Sequence, residues 1–433
     1  MTGGERGSGS ASTHRDGLSD ALDGDERAAL IVWAALAEGA DEAASWLVGE
    51  LGASSALVWL RDAAADPVAA TIRLAPLAAP QTVDKAVAAA QRWLSRLPDA
   101  HPGREVQRAG AVGARVVTRV DHEWPPAFHV MGARAPYALW VRGGGDINSL
   151  FRNSVALVGS RAATGYGEHI AAEIAGGLSD AGWCVISGGA YGIDAAAHRA
   201  ALTGVTPTVA VMAGGVDRLY PAGHFDLLSA VMEKGAVMSE VPVGFAPHRS
   251  RFLARNRLIA AADATCVVEA AARSGALNTV NHALAFGRPV AAVPGPVTSA
   301  SSQGCHALIR NGQAVLVAQA QHVIELAEPI GASALRADER GEQGGGGAGH
   351  PGGAGIPGQP GGSGVPGRGA DFGTASERAA FDAIAPRGSR VEAIAKGAGL
   401  SIGEALGALM GLELAGLAQA KEGVWRRTAA KTS

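Results

Sequence analysis

Lysine is scarce in this chain. Of its 37 basic residues 32 are arginines and five are lysines, and Lys234 is the single lysine between positions 150 and 330. A P-loop lysine or a Schiff-base lysine is therefore essentially excluded from that stretch. Cysteine is almost as rare. Cys184, Cys266 and Cys305 lie far apart with no C-x-x-C, which argues against a disulfide framework or a Cys-rich zinc site and fits a reducing compartment. No H-E-x-x-H, spaced His/Cys set or G-x-S-x-G occurs, so neither a metal centre nor a serine-hydrolase elbow is expected. Long apolar runs are missing too, because Asp, Glu or Arg interrupts each Ala-rich stretch. The first 25 residues are polar and Gly/Ser-rich without an apolar core segment, unlike a signal peptide. A soluble cytoplasmic protein with no membrane partner is expected. Neither sign of charge dominates: 37 basic against 40 acidic residues give −3. Bulk basicity is thus no argument for nucleic acid, and any polyanion site has to be a local cluster.

Glycine is what the chain has in excess, 61 of 433 residues, or about 14 % against a usual value of about 7 %. The 47 % hydrophobic content supports a sizeable core, and the length suggests roughly three domains. Residues 1–25 read as a disordered tail. Residues 26–110 carry apolar positions at helical spacing, such as Leu30, Trp33, Ala34 and Ala37, and read as a small helical domain. Trp33, Trp46, Trp59 and Trp93 are its expected core anchors. The stretch 119–144, with Trp124-Pro125-Pro126, reads as an extended connector.

Within a domain set at 111–330, apolar runs alternate with helical patterns. Strands are expected at 155–158, 184–186, 208–212, 237–238, 265–268, 290–293 and 315–317, and helices at 166–180, 194–202, 224–234 and 278–286. Continuous apolar strands with helices between them predict an α/β domain with a doubly wound, mostly parallel sheet, whose ligands sit beyond the carboxyl ends of the strands. Residues 331–371 form a Gly/Pro-rich linker, with 15 Gly and 4 Pro in 341–370. Beyond it, at 372–433, three helices and a short strand pair predict a winged-helix domain, with Ser401 and Glu404 forming a capping box.

Three glycine-bearing turns follow consecutive strands. In the first, Gly159-Ser160-Arg161 through Thr164 opens a helix. Free backbone N–H groups, two hydroxyls and a guanidinium there suit a phosphate, although a plain βα turn explains the glycines equally well. In the second, Gly188-Gly189 leads to Asp194 and His198, either a catalytic pair or a cap beside a satisfied histidine. The third is Gly214-Gly215 through Pro221. Together they are expected to face one crevice. The stretch 241–262 then carries Arg249, Arg251, Arg255 and Arg257 with no acidic residue, interleaved with Phe252 and Asn256. Charge beside an aromatic face is what a single strand of nucleic acid requires. A solvated charge run, or arginines paired with carboxylates such as Asp263, is the competing explanation. Arg273-Ser274-Gly275 belongs to the same expected rim.

These motifs have a further meaning in combination. Val158-Gly159-Ser160-Arg161, Ser187-Gly188-Gly189-Ala190-Tyr191-Gly192-Ile193-Asp194, Gly215-Val216-Asp217-Arg218-Leu219-Tyr220-Pro221 and Phe252-Leu253-Ala254-Arg255-Asn256-Arg257 occur in order with Asp121-x-x-Trp124-Pro125. The chain from about 119 to 327 thereby resembles the DNA-processing protein A (DprA/Smf) family. The resemblance implies an extended Rossmann-like domain that binds single-stranded DNA in natural transformation. It also implies protection of that strand, help in loading a RecA-type recombinase, homodimers, and neither catalysis nor a cofactor. Gly159, Ser160 and Arg161 would form the phosphate-gripping turn, and Arg255, Asn256 and Arg257 a basic wall. Tyr191 departs from the pattern, standing where many relatives place Lys or Arg; it removes a charge but offers a stacking face. An enzyme using Asp194, Asp217 or Glu269, or a small-nucleotide sensor, is the alternative for the same crevice.

Overall fold

A computed structural model describes residues 17–328 and, in the C-terminal part, 375–385, 388–400, 417–421, 424–428 and isolated positions between 402 and 413. The described residues form two compact units, one ending at 328 and one beginning at 375.

The larger unit begins with seven helices: α1 (Gly17–Leu22), α2 (Glu26–Leu36), α3 (Glu42–Leu51), α4 (Ala53–Ala65), α5 (Pro67–Leu74), α6 (Pro80–Arg96) and α7 (Pro102–Ala111). Their starts are written locally. Asp25, Asp41 and Asp66 cap α2, α3 and α5 by accepting from backbone N–H groups, and prolines open α5, α6 and α7. The chain is helical at Gly17–Leu22 and buries Ala21, within the span expected as a disordered tail; residues 1–16 lie outside the described residues. Trp33, Trp59 and Trp93 are buried as expected. Their indole N–H groups donate to Ala53 O (3.0 Å), Ala70 O (3.0 Å) and Asp41 Oδ2 (3.2 Å). Trp46 is half-buried against the same core.

A nine-stranded sheet follows: β1 (Ala114–Thr118), β2 (Ala138–Arg142), β3 (Ser154–Val158), β4 (Cys184–Ser187), β5 (Val209–Val211), β6 (Ala236–Ser239), β7 (Ala264–Val267), β8 (Val290–Ala292) and β9 (Val315–Leu316). Its order is β1-β2-β6-β5-β4-β3-β7-β8-β9. The seven expected strands are present and parallel. The extended connector proves to hold β1 and β2, an antiparallel pair that lengthens the sheet beyond β6. Both faces are covered by α8 (Ile147–Arg152), α9 (Gly165–Asp180), α10 (Ile193–Ala201), α11 (Phe225–Lys234), α12 (Arg249–Ile259), α13 (Ala276–Ala285), α14 (Gln303–Arg310) and α15 (Ala320–Ala327). That is why β3 through β8 are buried throughout.

The chain winds outward from β3 to β6 on one side and from β7 to β9 on the other. The reversal lies between β3 and β7, where a doubly wound sheet opens a crevice at the strands' carboxyl ends. Ile31 and Ala34 of α2 pack in one core with Trp140 and Met212, so the helical region is continuous with the sheet.

The smaller unit has helices α16 (Ala375–Ala383) and α17 (Val391–Ala398) and an antiparallel hairpin, β10 (Ala418–Lys421) and β11 (Val424–Arg427), around Ile394, Leu409, Leu412 and Trp425. Most of the expected third helix, including Ser401 and Glu404, and the linker 331–371 lie outside the described residues. Among the described residues no single helix is long and apolar enough to cross a membrane.

Candidate functional site

At the reversal point lies an open cleft of about 640 Å³. Its walls come from four places: the turn after β3 (Gly159–Ala162), Ala190 and Asp194 between β4 and the first turn of α10, one face of α12, and the turn after β7 with the start of α13 (Ala271–Thr279). Nine of the expected residues line it. They are Gly159, Ser160, Arg161, Arg249, Phe252, Arg255, Asn256, Ser274 and Gly275.

The turn after β3 is held from below. Ser160 N donates to Glu269 O at 2.8 Å, and Ile193 N donates to Ser160 O at 3.2 Å. A Cβ on Gly159 would lie 2.5 Å from Ile193 Cγ1, so only glycine fits there. Arg161 is exposed, and its guanidinium carbon stands 5.2 Å from the centre of the Phe252 ring. That of Arg255 lies 5.8 Å from the same centre. Two cations thus converge on one aromatic ring at the mouth of the cleft. Beside them, Ser274, Gly275 and Ala276 bring the N-terminus of α13 to the cleft wall, where its backbone N–H groups carry partial positive charge.

Arg255 is the buried half of this arrangement, only 4 % exposed. It donates to Gly188 O at 3.0 Å and to Val211 O. Burial lowers its pKa to about 10 against the opposing pull of Asp194, so it stays cationic at neutral pH. A Cβ on Gly188 would come within 2.6 Å of the Arg255 guanidinium; the glycine makes room for it. Asp194 is buried as well and accepts from Gly188 N (3.1 Å) and Ala190 N (3.3 Å). Desolvation raises its pKa, with Arg255 acting against that rise.

Several expectations are corrected by the geometry. Thr164 does not face the cleft as a phosphate donor. Its N–H and hydroxyl donate to the Glu269 carboxylate at 2.9 and 2.7 Å, while its Oγ1 accepts from Gly167 N as the cap of α9. The anion beside that helix end is therefore the protein's own. Arg257 is no part of an open wall: it is 1 % exposed and bidentate with Glu240 at 2.6 and 2.5 Å. Arg251 is bidentate with Glu38 of the helical region at 2.9 and 3.0 Å. The ion-pair alternative holds for these two, although Asp263 pairs with Arg288 instead. Gly188 and Gly189 lie beneath the cleft; Gly189 adopts φ +67° against Leu228. Arg273 is exposed beyond the cleft.

The third glycine turn faces elsewhere, since Gly215 N donates to Phe245 O (2.9 Å) and Asp217 Oδ1 accepts from Gly244 N (2.9 Å). From it only Tyr220 reaches the site, with its ring 5.7 Å from Phe252. Asp194 and His198 are not partnered, because His198 Nδ1 bonds Thr208 Oγ1 at 2.9 Å.

What sequence reading missed is α12 itself. Phe252, Arg255, Asn256 and Ile259 are spaced i, i+3, i+4 and i+7 and share the cleft face, a helical period that the arginines obscured.

Residues 115–328 match the family described as DNA recombination-mediator protein A. A putative DNA processing protein DprA of Mycobacterium tuberculosis is 45 % identical over 326 residues, 72 % of this chain and 77 % of that one. The chain belongs to the DprA family. Protein Smf of Escherichia coli is 38 % identical over 207 residues, 47 % of this chain and 54 % of its own. An X-ray structure of DprA from Streptococcus pneumoniae superposes with a TM-score of 0.50 at 33 % identity, covering 58 % of this chain and 83 % of that one. The DprA match spans the sheet and every wall of the cleft.

Proposed function

We propose that this DprA-family chain binds single-stranded DNA in the cleft between β3 and β7, without chemistry on the strand. The observation that carries the reading is the pairing of Arg161 and Arg255 with Phe252 at an open cleft lined by a helix N-terminus. Guanidinium groups suit phosphates, and the ring suits an unpaired base. The two carboxylates nearest the cleft are poor candidates for acid–base work. Asp194 is occupied by backbone N–H groups and Glu269 by Thr164 and Ser301. The wider role proposed for the chain is that of a homodimeric mediator in transformation that protects incoming DNA and hands it to a RecA-type recombinase. The C-terminal unit is proposed to be a winged helix with a protein-contact or autoregulatory role.

The test is fluorescence polarisation with labelled oligo-dT, duplex DNA and a mononucleotide at several salt concentrations. Oligo-dT should bind best, and Arg161→Ala should weaken it while flattening the plot of log affinity against log salt by about 0.7–1 unit. Tight binding by that variant with an unchanged slope removes the phosphate assignment. Release of free base or phosphate that disappears in Glu269→Gln would install an enzyme instead.

A further inference from the structure

The chain has four tyrosines, and two of them, Tyr191 and Tyr220, stand about half exposed beside the cleft, at 50 % and 49 %. Each is braced by another ring. Tyr220 meets Phe252 edge-on, with centroids 5.7 Å apart, and Tyr191 meets His224 edge-on at 4.4 Å. His224 itself is buried and bonds Gly189 O at 3.0 Å, so the brace under Tyr191 is fixed to the second glycine turn. Among the described residues neither tyrosine hydroxyl makes a hydrogen bond, unlike Tyr166, whose hydroxyl donates to Pro294 O at 2.6 Å. Their position is thus set by ring contacts rather than by a polar anchor, and water covers about half of each.

The two rings are not separate features. Tyr220 and His224 are joined by the short segment Pro221–Gly223, and Gly223 abuts the Tyr191 hydroxyl, where a Cβ would lie 2.7 Å away. Tyr191 is flanked by Ala190, which lines the cleft, and by Gly192, which takes φ +73° against the backbone of Ser160 and Arg161. Contacts thus lead from Arg161 and Phe252 to the Tyr220 ring, and the three residues Pro221–Gly223 join Tyr220 to the His224–Tyr191 pair. The start of this series is cationic and its continuation is aromatic.

We propose that Tyr220 and Tyr191 form a base-stacking lane continuing from the phosphate cleft, which selects a strand with several unpaired bases over a duplex or a mononucleotide. Stacked bases in a duplex present no free faces to such rings, and a mononucleotide spans only the first position. The proposal rests on the cleft reading above and names the part of the ligand which that reading leaves unassigned.

The experiment uses the intact chain, labelled oligo-dT and an abasic strand of equal length and equal phosphate count. Unmodified protein should prefer oligo-dT. Tyr191→Ala and Tyr220→Ala should each weaken oligo-dT binding by roughly 5- to 100-fold with an unchanged salt slope, because no phosphate contact is lost. Affinity for the abasic strand should stay level in both variants, and Tyr191→Phe should recover binding. A Tyr191→Trp variant supplies a second readout, with indole emission quenched by oligo-dT and not by the abasic strand. Equal affinity of the unmodified protein for the two strands, or full oligo-dT affinity in Tyr191→Ala, overturns the lane. If Arg161→Ala still flattens the salt dependence in that case, the cleft stands and the lane alone fails. If Arg161→Ala also has no effect, the phosphate reading falls with it.

Discussion

At the scale of single residues, the buried polar groups of the larger unit are set by burial more than by charge. His198 is the sharpest case. Thr208 Oγ1 donates to Val185 O at 2.6 Å, so toward the histidine it accepts, which places the imidazole proton on Nδ1. Nε2 is left buried and without a partner. Protonating it puts an unpaired charge in the core; desolvation, with His224 and Arg255 acting in the same direction, lowers its pKa from 6.5 to about 3. An unfolded chain takes that proton near pH 6.5 and the folded one does not. The stability is therefore complete above pH 6.5 and lost progressively as the pH falls toward 3. Between pH 6.5 and 5 the loss should be about 1–2 kcal/mol. Half-buried His282, whose pKa is also lowered chiefly by desolvation, adds to it with the same sign. Denaturant melts at pH 7.5, 6.5 and 5.0 measure this loss, which should shrink in His198→Asn. A flat profile in the parent protein refutes the assignment.

At the scale of elements, α12 has two jobs. Phe252, Arg255 and Asn256 look into the cleft, while Arg251 and Arg257 are tied to Glu38 and Glu240. Gly39 lies directly against the Glu240 carboxylate, so the link after α2 covers that ion pair. Glu240→Gln leaves the Arg257 cation buried with a neutral partner and should cost about 3–5 kcal/mol of unfolding free energy, read from denaturant melts. A loss below 1 kcal/mol would mean that water reaches the pair. The element scale also shows what the sequence could and could not reveal. Runs such as Val155-Ala156-Leu157-Val158 announce buried parallel strands because no polar residue interrupts them. β1 and β2 were illegible since Trp124-Pro125-Pro126 and Ala135-Pro136 between them read as a connector, and their pairing is with each other and with distant β6. The arginines of 249–257 were found by charge. Which of them face the cleft depends on Glu38 and Glu240, carboxylates 213 and 17 residues away, and no local pattern encodes those partners.

At the scale of the whole molecule, every residue lining the cleft belongs to the larger unit. Removing 371–433 should therefore leave oligo-dT affinity within about twofold, measured by polarisation beside the intact chain. A tenfold loss would give the C-terminal unit a direct share in binding. The helical region is a different matter. Glu38 holds Arg251 bidentately on the helix that presents Phe252 and Arg255, and Ile31 packs in one core with Trp140. An appended module can be exchanged for an unrelated one when only a tether joins it. Here the join is a shared helix whose opposite flank is the ligand's wall. The region from α1 to α7 and the cleft are thus mechanically one piece: exchanging the helical region would strip Arg251 of its carboxylate partner and disturb the helix that carries Phe252 and Arg255.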